Sequence, residues 1–232
     1  MDKTQILTQR LEDRRGKTVV FLSHCLLNEN TRYLGGACWG GCVREILEAC
    51  LVLEVGIVQM PCPEQQAWGG VIKRWLLAMY GLQRTPLYRL RGLLVPLMLW
   101  YTNWMYSRLA RGLARQIKDY VDSGHDVLGT VGMDGLPSCG VDQTLDFPKA
   151  FAAIAHLEPE TITVDGMNTI VRQNLVVRRG LFTIALKQAL NRVKVNVPFL
   201  AHDLIAGLRG ESSSVGVELA ALHEVNRANH VR

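Results

Sequence analysis

A chain of 232 residues has the length of one domain, or of one domain carrying an insertion. With 48% hydrophobic and 20% charged residues, it is not a disordered, collagen-like or acidic-tail protein. The formal charge of +5 is unevenly placed: residues 73–118 hold Lys73, Arg74, Arg84, Arg89, Arg91, Arg108, Arg111, Arg115 and Lys118 and no acidic residue, so the rest of the chain is net acidic.

Lys3, Arg10, Glu12, Asp13, Arg14 and Arg15 precede any apolar run, which leaves no room for the apolar region of a secretory signal. A cytoplasmic location is expected. Six cysteines in that setting read as metal ligands, catalytic groups or reduced core thiols rather than as a disulfide framework.

Residues 17–25, Lys-Thr-Val-Val-Phe-Leu-Ser-His-Cys, form a short apolar run that ends in small and polar residues, the pattern of a buried parallel strand with Cys25 at its carboxyl end. A Gly-rich loop, 28–41, leads to a crossover helix over 42–54 with Gly56 as its stop. A second buried strand is predicted over 56–60, and Pro61-Cys-Pro-Glu64 follows it at once. The basic segment then forms one or two helices, the last ending at Ser123-Gly124. Its apolar centre, 90–106, is interrupted by Arg91, Pro96 and Asn103 and is too short to span a membrane. The third strand, 125–133, feeds a loop containing Pro137-Ser-Cys-Gly140. Beyond Asp146, short strands are expected around an Asp165-Gly166 turn, then a helix over 181–193 and a last strand over 195–201.

The alternation of strand and helix predicts an α/β fold: a parallel, Rossmann-like sheet with flanking helices and a basic, aromatic helical insertion. The expected organisation is a single domain over 1–232, with a core over 17–146, the insertion over about 72–122 and a C-terminal extension over 147–232. Ligands of such sheets bind beyond the carboxyl ends of the strands, where Cys25, Cys62 and Cys139 would converge. Three soft thiolates suit an iron-sulfur cluster with one open iron, or a zinc site with three thiolates. Inert buried thiols are the remaining alternative.

The segments Ser23-His-Cys-Leu-Leu-Asn28, Pro61-Cys-Pro-Glu64 and Pro137-Ser-Cys-Gly140, in that order and at strand ends, resemble the small desulfurase family that includes thiouracil desulfurase. The likeness covers roughly residues 17–145, with 73–118 as an insertion relative to the short members. The resemblance implies a [4Fe-4S] cluster held by Cys25, Cys62 and Cys139, with the unique iron taking the sulfur of a thiocarbonyl. It implies non-redox desulfuration of a thiolated pyrimidine, free or in RNA, with release of sulfide. Glu64 would activate water or shuttle a proton, and Ser138 would orient substrate or water. Asp134, His24 and Asn28 are candidate substrate contacts. Where short members carry a basic, serine-rich stretch, this chain has Gly-Met-Asp-Gly-Leu at 132–136, which bears on the substrate more than on the cluster.

Each residue has a plainer role available: Glu64 as a cap of the following helix, Ser138 and Asp134 as turn residues. The alternative function is a non-catalytic iron-sulfur or metal-binding module that senses or stores sulfide. Cys38 and Cys42 form a C-x3-C pair in the Gly-rich loop, Cys50 reads as core, and His125, His156 and His202 show no ligand spacing. Three readings fit the insertion: contact with thiolated RNA, a membrane-surface helix, and an apolar lid or homodimer face.

Overall fold

The computed structural model describes residues 3–11, 15–80, 86–155 and 157–230; Glu12, Asp13, Arg14, Arg84 and His156, named above, lie outside them. In chain order the regular elements are α1 (Lys3–Arg10), β1 (Thr18–Leu22), α2 (His24–Leu27), α3 (Arg44–Val52), β2 (Gly56–Gln59), α4 (Pro63–Ala67), α5 (Arg74–Tyr80), α6 (Arg91–Asp122), β3 (Asp126–Asp134), β4 (Thr144–Leu145), α7 (Phe147–Ala155), α8 (Val164–Gln173), β5 (Leu175–Val176), α9 (Leu181–Arg192), β6 (Phe199–Asp203), α10 (Leu204–Leu208) and α11 (Val215–His230).

Strands β2, β1, β3 and β6, in that order, form a parallel sheet, and β4 pairs antiparallel with β5. Successive side chains of a strand point to opposite faces, and β1 shows the consequence. Val19 and Phe21 enter one core with Tyr106, Ala110, Leu113 and Ile117 of α6 and Phe182 and Leu186 of α9. Val20 and Leu22 enter the other with Ile46 and Cys50 of α3 and Leu219 of α11. The result is a sheet with helices on both faces, consistent with a Rossmann-like architecture.

Three expectations change. The second strand is expected to be buried, yet in β2 Gly56, Ile57 and Gln59 are exposed, because β2 is the edge of the sheet; so short a run as Gly-Ile-Val-Gln does not distinguish edge from centre. Short strands around Asp165-Gly166 give way to α8, since Thr163 Oγ1 accepts a hydrogen bond from Gly166 N at 3.1 Å and Asp165 occupies the first turn. Only the two-residue β5 remains of those strands. The last strand starts at Phe199 rather than Val195: Pro198 has no N–H to donate, although its carbonyl accepts from Thr130 N.

The basic segment is more than a surface addition. Helix α6 connects β2 to β3 and packs its Thr102, Tyr106, Ala110, Leu113 and Ile117 face into the core. Among the described residues, no helix is long and apolar enough to cross a membrane.

Candidate functional site

Three neighbouring strands deliver three cysteines to one end of the sheet. After β1, Ser23 N donates to Val131 O at 3.0 Å and the chain turns into α2, which buries Cys25. After β2, Met60 N donates to Leu22 O at 2.8 Å, and Cys62 becomes the N-cap of α4, its Sγ accepting from Gln65 N at 3.4 Å with Pro63 preorganising the first turn. After β3, the loop folds back so that Met133 N donates to the carbonyl of Cys139 at 3.2 Å. A Cβ on Gly132 would collide with that carbonyl, and one on Gly180 with the carbonyl of Ser138, so both positions must lack a side chain for the loop to close.

Burial dominates the thiols. It pushes Cys25 up to about 12 and Cys62 up to about 11, and it holds Cys139 well above its usual value. The three groups also act on one another: Cys62 raises Cys25, and Cys25 and Cys62 raise Cys139. All six cysteines are free thiols. Among the described residues, no three His, Cys, Asp or Glu side chains are gathered closely enough to hold a single metal ion. A zinc ion binds each thiolate at about 2.3 Å and needs such a gathering. A cubane attaches each thiolate to a different iron, so its ligands stand farther apart.

Glu64 is 6% exposed and fully engaged. The Ser138 hydroxyl donates to its Oε1 at 2.7 Å, and Lys73 Nζ lies 3.3 Å from its Oε2. Ser138 Oγ is also 3.5 Å from Cys139 Sγ, which makes it the bridge between carboxylate and thiol. Lys73 donates as well to Thr31 O at 2.6 Å. It reaches this place from a turn that begins at Gly69 and Gly70, with its own φ at 51°, a left-handed conformation disfavoured for lysine. Tyr106, from α6, places a buried hydroxyl near Ser138, with no hydrogen bond of acceptable geometry to it. Burial, then Glu64, Cys139 and Cys62, push this phenol well above its ordinary value, so it remains a donor. Ser23 Oγ is likewise buried with no partner among the described residues, beside a small cavity bordered by Thr130 and Cys139 with room for about one water.

The expected site residues thus divide. Cys25, Cys62, Cys139, Glu64 and Ser138 come together. Asp134 is occupied by its own loop, Oδ1 accepting from Val141 N at 2.6 Å and Asp142 N at 3.1 Å, and Oδ2 from Gln143 N at 3.1 Å, so it shapes the Cys139 loop. Asn28 Oδ1 accepts from Asn30 N at 3.2 Å and Asn30 Nδ2 at 2.8 Å. His24, half-buried, accepts at Nδ1 from Gln59 Nε2, and its partial burial lowers its pKa. The Gly-rich loop is pinned rather than free: Glu29 Oε2 accepts from Cys38 N at 2.7 Å and Trp39 N at 2.8 Å, while Arg32 pairs with Glu29 Oε1 at 2.6 Å and donates to Gly36 O at 3.2 Å. Cys38 Sγ accepts from Arg32 Nη1 at 3.6 Å. Lys73, Tyr106 and the Glu29–Arg32 pair escaped sequence reasoning; the Gly69-Gly70 turn and the helical spacing of Thr102, Tyr106 and Ala110 were the available signals.

His202, on β6 opposite Met133, is 1% exposed and neither ring nitrogen has a hydrogen-bond partner among the described residues. Burial and then Arg32 depress its pKa from 6.5 to about 4, against a smaller upward pull from Asp203. The unfolded chain therefore binds a proton near pH 6.5 that the folded chain refuses until about pH 4. Stability present above that window is lost as pH falls through it, by up to about 3 kcal/mol for this group. Urea unfolding should show the decline in the wild type and a shallower one in His202→Leu; equal slopes would refute the assignment.

No family model, no curated protein and no solved structure matches this chain.

Proposed function

We propose that Cys25, Cys62 and Cys139 hold a [4Fe-4S] cluster and that the protein replaces the sulfur of a thiolated pyrimidine by oxygen without electron transfer. The observation that carries this reading is the buried Glu64 carboxylate, 2.7 Å from the Ser138 hydroxyl and beside three thiols from adjacent strand ends. The donor set suits the cluster, because three thiolates leave one iron open and the buried hydroxyls of Ser23 and Tyr106 have no partner among the described residues. When bound, such a cluster supplies a Lewis acid toward the thiocarbonyl sulfur.

The remaining work falls to the chain. Water adds to the carbon of the thiocarbonyl, and Glu64 takes the proton that this water gives up. Ser138 fixes the carboxylate through its 2.7 Å hydrogen bond, while Lys73 offsets its charge in a buried setting. Tyr106 is a positioning donor that crosses to the site from α6. The carbon–sulfur bond breaks, sulfide leaves with the displaced protons, and the pyrimidine keeps a carbonyl oxygen. Two of the three cysteines are buried, which favours a free base over a base held in folded RNA.

The test is sulfide release and uracil formation from thiouracil by anaerobically reconstituted protein, with thiolated RNA as a second arm. Release from thiouracil at a rate proportional to loaded protein is expected. Bound cluster with no release from either substrate would leave the sulfide-binding module and end the enzyme reading.

A further inference from the structure

Helix α6 has a second face that this chemistry leaves unused. At 3.6 residues per turn, Leu93, Leu97, Trp100, Trp104, Arg108, Arg111, Arg115 and Lys118 fall on one line, and it lies opposite the buried Thr102, Tyr106, Ala110, Leu113 and Ile117. Leu93 is 68% exposed and Trp100 65%. The line runs for roughly 38 Å, apolar and aromatic over its first half and cationic over its second. Nothing acidic lies within the helix before Asp119. Beside its apolar half Trp75 is also exposed, and Trp75, Tyr101 and Trp104 follow one another with ring centroids 6.2 and 6.1 Å apart. The Arg108 guanidinium lies 5.9 Å over the Trp104 ring, at the junction of the two halves.

We infer that this face of α6 docks the protein on an anionic lipid surface, with Leu93, Leu97, Trp100 and Trp104 entering the headgroup–acyl boundary and Arg108, Arg111 and Arg115 meeting lipid phosphates. The inference is independent of the reaction proposed above. The chemistry of the line selects among occupants. A second copy packed parallel would set cations on cations, and one packed antiparallel would press Lys118 and Arg115 onto Leu93 and Leu97, desolvating both cations without an anion, while only Arg111 and Arg108 would find tryptophans. A single-stranded RNA stacks on aromatic rings and gains little from Leu93 and Leu97. Tryptophan at the interface, aliphatic side chains below it and arginine toward negative headgroups satisfy both halves at once.

Co-sedimentation with phosphatidylcholine vesicles, with and without phosphatidylglycerol, tests this on the full chain at low salt. The protein is expected to sediment with the anionic vesicles and to be released by salt. Arg111→Glu and Arg115→Glu should each weaken binding about 5-fold or more, as loss of about 1 kcal/mol per surface cation implies. Leu97→Asp with Trp100→Asp, both solvent-exposed and so compatible with an unchanged circular dichroism spectrum, should reduce it at least tenfold. Failure of the wild type to sediment with anionic vesicles would overturn the inference. So would a dimer in light scattering that dissociates in the Leu97→Asp, Trp100→Asp variant, or binding of RNA in place of vesicles.

Discussion

Glu64→Gln is expected to lower sulfide release from thiouracil by about 10²- to 10⁴-fold while iron content stays at the wild-type level, the range typical of losing a positioned general base. Glutamine keeps the shape of the side chain and can still accept from the Ser138 hydroxyl, so the neighbourhood of Cys139 is retained. What it loses is the capacity to take a proton from water. The variant leaves Lys73 without its anion, and its stability must therefore be measured alongside. Lys73 retains the Thr31 carbonyl as acceptor at 2.6 Å, which limits that cost. Turnover unchanged with the cluster intact would remove Glu64 from the mechanism.

Lys73→Met is expected to destabilise the protein by about 3–5 kcal/mol, because it leaves a carboxylate uncompensated in a buried site. That is a large part of the roughly 5–15 kcal/mol that holds a domain folded. Lys73 is 5% exposed and Glu64 6%, so solvent cannot replace the missing partner. Methionine keeps a Cβ, hence the strain at φ 51° is the same in both proteins and cancels. The double variant Lys73→Met, Glu64→Gln should recover much of the loss, since neither member of this pair is then charged. Urea unfolding of the four proteins measures this coupling. A Lys73→Met protein within about 1 kcal/mol of wild type would mean that the carboxylate does not depend on the lysine.

The parallel strands were legible because each apolar run ends in small, polar or proline-flanked residues, and β1, β2 and β3 fall where those runs were read. The same punctuation placed Cys25, Cys62 and Cys139 at strand ends. Exposure was not legible: Val58 packs against the core as read, but Ile57 is exposed, because strand order, which places β2 at the edge, is a long-range property. Lys73 was hidden by its company, since a lysine opening a segment of nine cations reads as solvated, whereas the Gly69-Gly70 turn carries it inward to Thr31 and Glu64. Asp134 and Asp165 show the limit of dipeptide reasoning. Both precede glycine, yet one binds three backbone amides of its loop and the other opens α8. Tyr106 lies within the segment set aside as an insertion, so its hydroxyl at the site became visible only once α6 was seen to cross from β2 to β3.

The claim on which the account turns is that three thiols from adjacent strands hold one cluster. Iron and acid-labile sulfide, measured after anaerobic reconstitution of the wild type and of a Cys25→Ser, Cys62→Ser, Cys139→Ser variant, test it directly. About four irons and four sulfides per chain in the wild type, and little of either in the variant, are expected. Equal metal in both proteins would place the ligands elsewhere and contradict the account.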